Sequence, residues 1–82
     1  MNAKKITVTK PVERLIRDIL AGYNDPFRYY EMPAGWRPAL KADLVSRLDN
    51  GRVQLTARGL QVAAALADSP YDHKAEPLKI VV

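Results

Sequence analysis

The chain contains no cysteine and a single histidine, His73. Without cysteine it can form neither a disulfide framework nor a cysteine-based zinc site. A metal site would then depend almost entirely on carboxylates, so we expect no metal and no cofactor. No apolar run approaches the roughly 20 residues that span a bilayer. The start of the sequence also lacks the apolar core of a secretory signal, so we expect a cytoplasmic protein.

Residues suited to catalysis are also scarce. His73 lies between Asp72 and Lys74, a setting typical of a solvated loop. The serines, Ser46 and Ser69, lack neighbours that would activate a nucleophile. The 4 glycines do not form a phosphate-binding loop. We therefore predict that the protein has no catalytic residue and is not an enzyme.

The length and charge limit what the chain can be. Its 82 residues suit one small domain, residues 1–82. The formal net charge is +4 and the pI is about 9.6. A basic surface serves solubility equally well, but it also suits a polyanionic partner such as a nucleic acid.

The first third of the chain predicts a strand followed by a helix. Ile6 and Val8 alternate with polar residues, as in a half-buried strand. Pro11 suits the first turn of a helix, with Thr9 as a candidate cap, and Gly22 suits its end. The apolar face of this helix is predicted to comprise Val12, Leu15, Ile16, Ile19 and Leu20.

The centre of the chain predicts a second helix from Pro38 to about Asp49. Its apolar side would comprise Leu40, Leu44, Val45 and Leu48. The pair that follows, Asn50 and Gly51, tolerates the left-handed backbone found just past a helix end.

The last third predicts a short strand, a helix and a closing strand. Val53 and Leu55 form the short strand, and Thr56 is placed to cap the third helix. The inner face of that helix would comprise Leu60, Ala63, Ala64, Leu66 and Ala67. The stretch "PLKIVV", residues 77–82, closes the chain as a strand. The fold class is therefore α+β, with three helices packed on a small two- or three-stranded sheet.

The closing strand has a second possible role. Its apolar, β-branched residues are of the type that pairs readily with another chain if an edge is left uncovered. A homodimer through residues 77–82 is therefore an open possibility.

The basic residues of the central part give the main functional hypothesis. Arginine matches phosphate oxygens with its planar fork, and a helix N-terminus also attracts anions. The candidate nucleic-acid contacts are Arg37, Lys41, Arg47, Arg52 and Arg58. The alternative is that these residues are simply solvated or pair with Asp43, Asp49 and Asp68.

The aromatic residues concentrate in the segment 23–37, which holds five of the six in the chain. They could cover the core of a domain that is short of apolar area. They could also form a surface that docks a protein partner, with Phe27, Tyr29, Tyr30 and Trp36 as its candidate contacts. The two readings remain open at this point.

The stretch "DLVSRLDNGRVQLTARGLQVAAAL" resembles the closing segment of many winged-helix transcription regulators. In that family a recognition helix ends in a Leu-rich turn and a Gly, a wing strand finishes in Leu-Thr, and a helix with an early Gly follows. The corresponding residues are Leu44, Leu48, Gly51, Val53, Leu55, Thr56, Gly59 and Leu66. The similarity lies within residues 38–67, where the spacing from Gly51 to Thr56 predicts a wing shortened to one strand.

This resemblance implies a winged-helix-like fold that binds double-stranded DNA. DNA contact would fall mainly on the helix from Pro38 to Asp49, through Arg37, Lys41 and Arg47. We therefore expect a small basic protein that binds DNA or regulates transcription without catalysis. The alternative is a protein-interaction module, an accessory or inhibitor protein that docks through the aromatic segment 23–37.

Overall fold

A computed structural model describes residues 5–22, 34–49 and 51–81 of the chain. These residues form three helices and two separate antiparallel sheets of two strands each. In chain order the elements are β1 (Lys5–Val8), α1 (Lys10–Leu20), α2 (Trp36–Lys41), β2 (Val45–Arg47), β3 (Val53–Leu55), α3 (Ala57–Leu66) and β4 (Leu78–Val81). The α+β class is confirmed, but four strands in two sheets replace the predicted single sheet of two or three strands. None of the helices in these ranges is long and apolar enough to cross a membrane.

The first sheet joins the two ends of the described chain. Strands β1 and β4 are antiparallel, with Ile6 opposite Ile80 and Val8 opposite Leu78. Val8 is fully buried and the other three residues pack against the core, whereas their neighbours along each strand are exposed. This alternation confirms both predicted strands. It also shows that the sheet buries one face and leaves the other in solvent.

Helix α1 follows β1 directly and supplies much of the core. Thr9 is at the predicted N-cap position, although its side chain makes no capping hydrogen bond. Of the predicted apolar face, Val12, Leu15 and Ile16 are buried and Ile19 packs at its edge. Leu20 was wrongly assigned to that face, since it is 53% exposed in the last turn. The amide of Gly22 bonds to the Ile19 carbonyl just past the helix end.

A buried carboxylate connects α1 to the end of α3. Glu13 is only 4% exposed and pairs with Arg17 at 2.9 Å and Lys10 at 3.5 Å. The Arg17 guanidinium also donates to the backbone carbonyls of Leu66 and Ser69. The arginine therefore neutralises Glu13 and satisfies carbonyls that the end of α3 leaves without helical partners.

The prediction of a helix from Pro38 to Asp49 is wrong, because α2 begins at Trp36 and ends at Lys41. Asp43 adopts a left-handed backbone, with φ of 62°. The amide of Leu44 bonds back to the Ala39 carbonyl at 2.9 Å, and the Asp43 amide bonds to the Leu40 carbonyl at 3.1 Å. These two bonds form a Schellman motif, which ends the helix and turns the chain outward.

The residues that follow form a β-hairpin in place of the rest of that helix. Val45 of β2 lies opposite Leu55 of β3, and Arg47 lies opposite Val53. Gly51, which precedes β3, has a φ of 84°, a backbone conformation that favours glycine. The short strand predicted after Gly51 is confirmed, but it has a partner strand. One strand, β3, lies between Gly51 and Thr56, as the spacing predicted, and its partner β2 precedes Gly51.

Helix α3 begins after Thr56 as predicted, but it presents a different face to the core. Its buried residues are Gly59, Val62, Ala63 and Leu66. The prediction was right for Ala63 and Leu66 and wrong for Leu60, Ala64 and Ala67, which are exposed. Leu60 is 57% exposed. The helix is apolar on most sides, so periodicity alone could not select the correct face.

Candidate nucleic-acid surface

The five candidate contact residues all lie within one stretch of the sequence. We define the α2–hairpin unit as residues 36–59, which comprise α2, β2, β3 and the first turn of α3. This unit contains the five basic residues proposed from the sequence and only two acidic ones, Asp43 and Asp49. Most of the net charge of the protein therefore comes from this unit.

Helix α2 exposes two of the five cations on one face. Arg37 and Lys41 are four residues apart and both are exposed. Side chains at this spacing are neighbours on a helix surface. Leu40 lies beside them and is 47% exposed, so the face combines two cations with an apolar side chain. Trp36 and Ala39, on the opposite side of the helix, belong to the core.

The hairpin places Arg47 against the beginning of α2. Its guanidinium carbon lies 5.5 Å from the centre of the Trp36 ring, within the range of a cation–π contact. Arg47 shares the inner face of the hairpin with Val45, but it is the last residue of β2 and remains exposed. The contact therefore fixes Arg47 beside the first residue of α2.

The burial of Trp36 decides between the two interpretations of this aromatic residue. Trp36 is 5% exposed and belongs to the hydrophobic core. It therefore covers the core, as one interpretation expected, and it cannot serve as an exposed contact for a protein partner. The other three candidates for that role, Phe27, Tyr29 and Tyr30, lie outside the described residues.

The outer face of the hairpin is polar. Ser46 and Gln54 lie opposite each other, and the Gln54 amide donates to the Ser46 hydroxyl at 3.3 Å. Arg52 is exposed just before β3, and its carbonyl accepts a hydrogen bond from the Leu48 amide at 2.7 Å. Ser46 is therefore a cross-strand partner in the hairpin.

The first turn of α3 is fastened to the turn that ends α2. The Thr56 hydroxyl donates to the Asp43 carbonyl and accepts from the Gly59 amide at 3.0 Å. The Thr56 amide donates to the Leu44 carbonyl at 3.0 Å. A Cβ atom on Gly59 would overlap that same carbonyl oxygen. The "LTARG" stretch thus allows α3 to approach the α2 turn at backbone contact.

Arg58 differs from the other four cations. It is partly buried, and its guanidinium donates to the carbonyl oxygen of Ala42 at 3.3 Å. Ala42 caps the C-terminus of α2, where a cation is favourable because of the helix dipole. At least one of the Arg58 donors is therefore used within the protein.

The alternative of pairing with nearby carboxylates does not describe three of the exposed cations. Among the described residues, the ion pairs are those of Glu13 with Lys10 and Arg17. Arg37, Lys41 and Arg47 form no such pair there.

A separate cleft of about 360 Å³ lies between α1, the end of α3 and the loop before β4. Its charged residues are mixed in sign: Lys10, Glu13, Arg17, Asp72 and Glu76. His73 is exposed in that loop, and no cluster of three metal-binding side chains occurs within 5–22, 34–49 and 51–81. This part of the molecule offers no comparable concentration of one charge.

Comparison of the chain with protein-family models, curated proteins and solved structures gives no significant match. The resemblance to winged-helix regulators therefore stays a prediction based on the residues themselves.

Sequence reasoning missed three features of this unit: the left-handed Asp43, the Arg47–Trp36 contact and the Arg58–Ala42 bond. The pair Asn50-Gly51 carried a usable signal, since Asn-Gly between two apolar stretches is typical of hairpins. The other features depend on contacts between separate elements and have no local signal.

Proposed function

We propose that this protein binds double-stranded DNA through the α2–hairpin unit, in a winged-helix-like manner and without catalysing a reaction. The proposal includes transcription regulation as the process that such binding would serve. One observation carries it: the α2–hairpin unit concentrates five cations with two carboxylates, and three of the cations are exposed without an ion pair among the described residues.

The order of elements supports the resemblance to winged helices. A short helix is followed by a two-stranded hairpin whose second strand ends in Leu55-Thr56, and a helix with an early glycine follows. In the resemblance, that second strand corresponds to the wing strand. Strand β2 occupies residues that the resemblance places at the end of the recognition helix, so α2 alone is left to serve as that helix.

The geometry of the unit also supports contact with phosphate. Arg37 and Lys41 share one face of α2, and Arg47 lies at the start of the same helix over Trp36. An arginine held against an aromatic ring loses less side-chain freedom when it binds a phosphate. Arg52, just before β3, is exposed as well.

The test is a titration of labelled duplex DNA with the full chain at several salt concentrations. Binding should weaken as salt rises, and four phosphate contacts predict a slope of log K against log salt of about −3 to −4. Replacing Arg37 and Lys41 with Ala should reduce the affinity and make the slope less steep. A matched control is Lys74→Ala, which removes an exposed cation from the loop before β4.

Absence of binding at low salt would refute the proposal. Binding that is unaffected by the Arg37 and Lys41 changes would remove α2 from the contact surface. A partner protein captured through residues 27–30, in the absence of any affinity for DNA, would favour the protein-interaction alternative.

A further inference from the structure

We infer that Arg58 is a positioning residue of the DNA-binding surface and that it does not contact the nucleic acid. The inference rests on the proposed function, because it divides the five cations of that surface into two roles. Arg37, Lys41, Arg47 and Arg52 face the partner. Arg58 fixes the angle at which the hairpin leaves α2.

The angle between α2 and the hairpin is set at the turn that ends α2. The chain leaves α2 at Asp43, whose left-handed backbone lies between the helix end and the first strand of the hairpin. Two of the exposed cations lie on the helix side of this turn and two on the hairpin side. The arrangement of the four charges therefore depends on the conformation of three residues, 42–44.

The turn 42–44 is held by hydrogen bonds from the beginning of α3. All three of its carbonyl oxygens accept a hydrogen bond from the beginning of α3. Ala42 accepts from the Arg58 guanidinium, Asp43 from the Thr56 hydroxyl, and Leu44 from the Thr56 amide. Carbonyls at a helix C-terminus lack helical partners, so these bonds satisfy groups that would otherwise need water.

The position of Arg58 makes it unsuited to bind phosphate. Its guanidinium is partly buried against the α2 terminus, whereas Arg37, Arg47 and Arg52 are exposed. A phosphate contact made by the same side chain would have to compete with the Ala42 carbonyl and with the favourable end of the helix dipole. The guanidinium of Arg58 is therefore already bonded to a backbone carbonyl of this protein.

A positioning role requires an N–H donor for the Ala42 carbonyl, whereas phosphate binding also requires the positive charge. Substitution with citrulline separates these two requirements. Citrulline has the length of arginine and keeps terminal N–H donors, but it is uncharged. Methionine has neither donor nor charge. The chain is short enough for chemical synthesis, which allows Arg58→citrulline and Arg58→Met to be compared with the unmodified protein. Three quantities are measured: duplex affinity across salt concentrations, the urea midpoint, and the emission of Trp36.

A positioning role predicts that citrulline retains the Trp36 emission, the affinity and the salt slope, and that it lowers the urea midpoint only by the small amount expected from losing a charge at a helix C-terminus. Methionine should lower the midpoint, shift the emission of Trp36 to longer wavelength and weaken DNA binding. Arg37→citrulline is the matched control on the exposed face of α2. It should weaken binding and reduce the salt slope by about 0.9, the value for one phosphate contact, without changing the midpoint.

Two results would overturn the inference. If Arg58→citrulline weakens binding and loses about 0.9 of the slope at an unchanged midpoint, Arg58 contacts phosphate. If Arg58→Met changes neither the urea midpoint nor the affinity for DNA, the bond to Ala42 does not hold the turn 42–44. Should the unmodified chain bind no duplex at all, the proposed function fails separately. The midpoint and Trp36 emission of the two Arg58 variants then still decide whether Arg58 holds the turn.

Discussion

The first turn of α3 lies so close to the end of α2 that a Cβ atom on Gly59 would overlap the backbone carbonyl oxygen of Leu44. The same carbonyl accepts the Thr56 amide at 3.0 Å. This contact connects the two helices on either side of the hairpin. It is the reason that a glycine is required inside the first turn of a helix, where it would otherwise weaken the helix.

Gly59→Ala should therefore destabilise the protein although alanine is the better helix former. The added Cβ must displace backbone atoms, and overpacking of this kind costs about 1–3 kcal/mol, more than the roughly 1 kcal/mol of helix propensity gained. Urea unfolding followed by Trp36 fluorescence measures the change. Gln61→Ala, at an exposed position of the same helix, is the control and should be nearly neutral. Equal stability of both variants would contradict the close approach.

Asp43 offers the opposite test, a substitution that should stabilise the protein. The residue has φ of 62° in a helix-terminating motif that favours glycine. Asp43→Gly should raise the free energy of unfolding by about 0.5–1 kcal/mol, because the left-handed backbone costs glycine little.

The same substitution removes a carboxylate from the α2–hairpin unit, so it should also strengthen binding to duplex DNA. Asp43→Asn separates the two effects, since asparagine tolerates the backbone angle but removes the charge. We expect Asp43→Asn to strengthen binding with little change in stability. Unchanged affinity in both variants would show that Asp43 lies away from the bound phosphates.

Substitution of Trp36 tests whether this residue belongs to the core or contacts a partner protein. At 5% exposure it is a core residue, so Trp36→Ala should cost about 3–5 kcal/mol of stability. Trp36→Phe should cost less, because it keeps much of the buried aromatic area. Circular dichroism follows the unfolding of both variants, which lack the only Trp. A Trp36→Ala protein of normal stability would return Trp36 to the list of surface contacts.

The contrast between α1 and α2 shows how far the sequence could predict this fold. In α1 the apolar spacing, the early proline and the closing glycine all agree, and the predicted helix is present. In α2 the apolar spacing of Leu40, Leu44 and Leu48 was helical, yet the chain turns at Asp43 and forms a strand. Local periodicity could not reveal the pairing with β3, because the stability of β2 comes from contacts across the hairpin.

The candidate site was predictable in composition and not in arrangement. The basic residues could be read directly from the sequence, and Thr56 was correctly recognised as a cap. The different role of Arg58 depends on the Ala42 carbonyl, 16 residues away in sequence. The contact of Arg47 with Trp36 likewise depends on the hairpin lying along α2. Such long-range contacts have no signature in a single stretch of residues.

The buried Glu13 should contribute measurably to stability through its partner Arg17. Glu13 is 4% exposed and bonds to Arg17 at 2.9 Å, and the same guanidinium reaches the Leu66 and Ser69 carbonyls. A double-mutant cycle with Glu13→Gln and Arg17→Met should give a coupling energy of about 1 kcal/mol, since the arginine side chain is partly exposed. Additive single effects would show that the pair is not coupled.

The possible homodimer needs a test that leaves the first sheet intact. Among the described residues β4 pairs with β1 alone, and none of them pairs with its second edge. Deleting residues 77–82 would also uncover Ile6 and Val8, and the shortened chain would lose its fold for that reason.

Val81 is a better probe because it is 60% exposed on β4. If copies associate through this strand, the mass of the full chain in solution should rise with concentration. Val81→Lys should keep the chain monomeric over the same range, since a second lysine near Lys79 adds like-charge repulsion at the shared edge. Gln61→Lys, at an exposed position of α3, controls for charge alone. A monomeric mass at every concentration would exclude association through β4 and leave DNA binding to a single copy of the α2–hairpin unit.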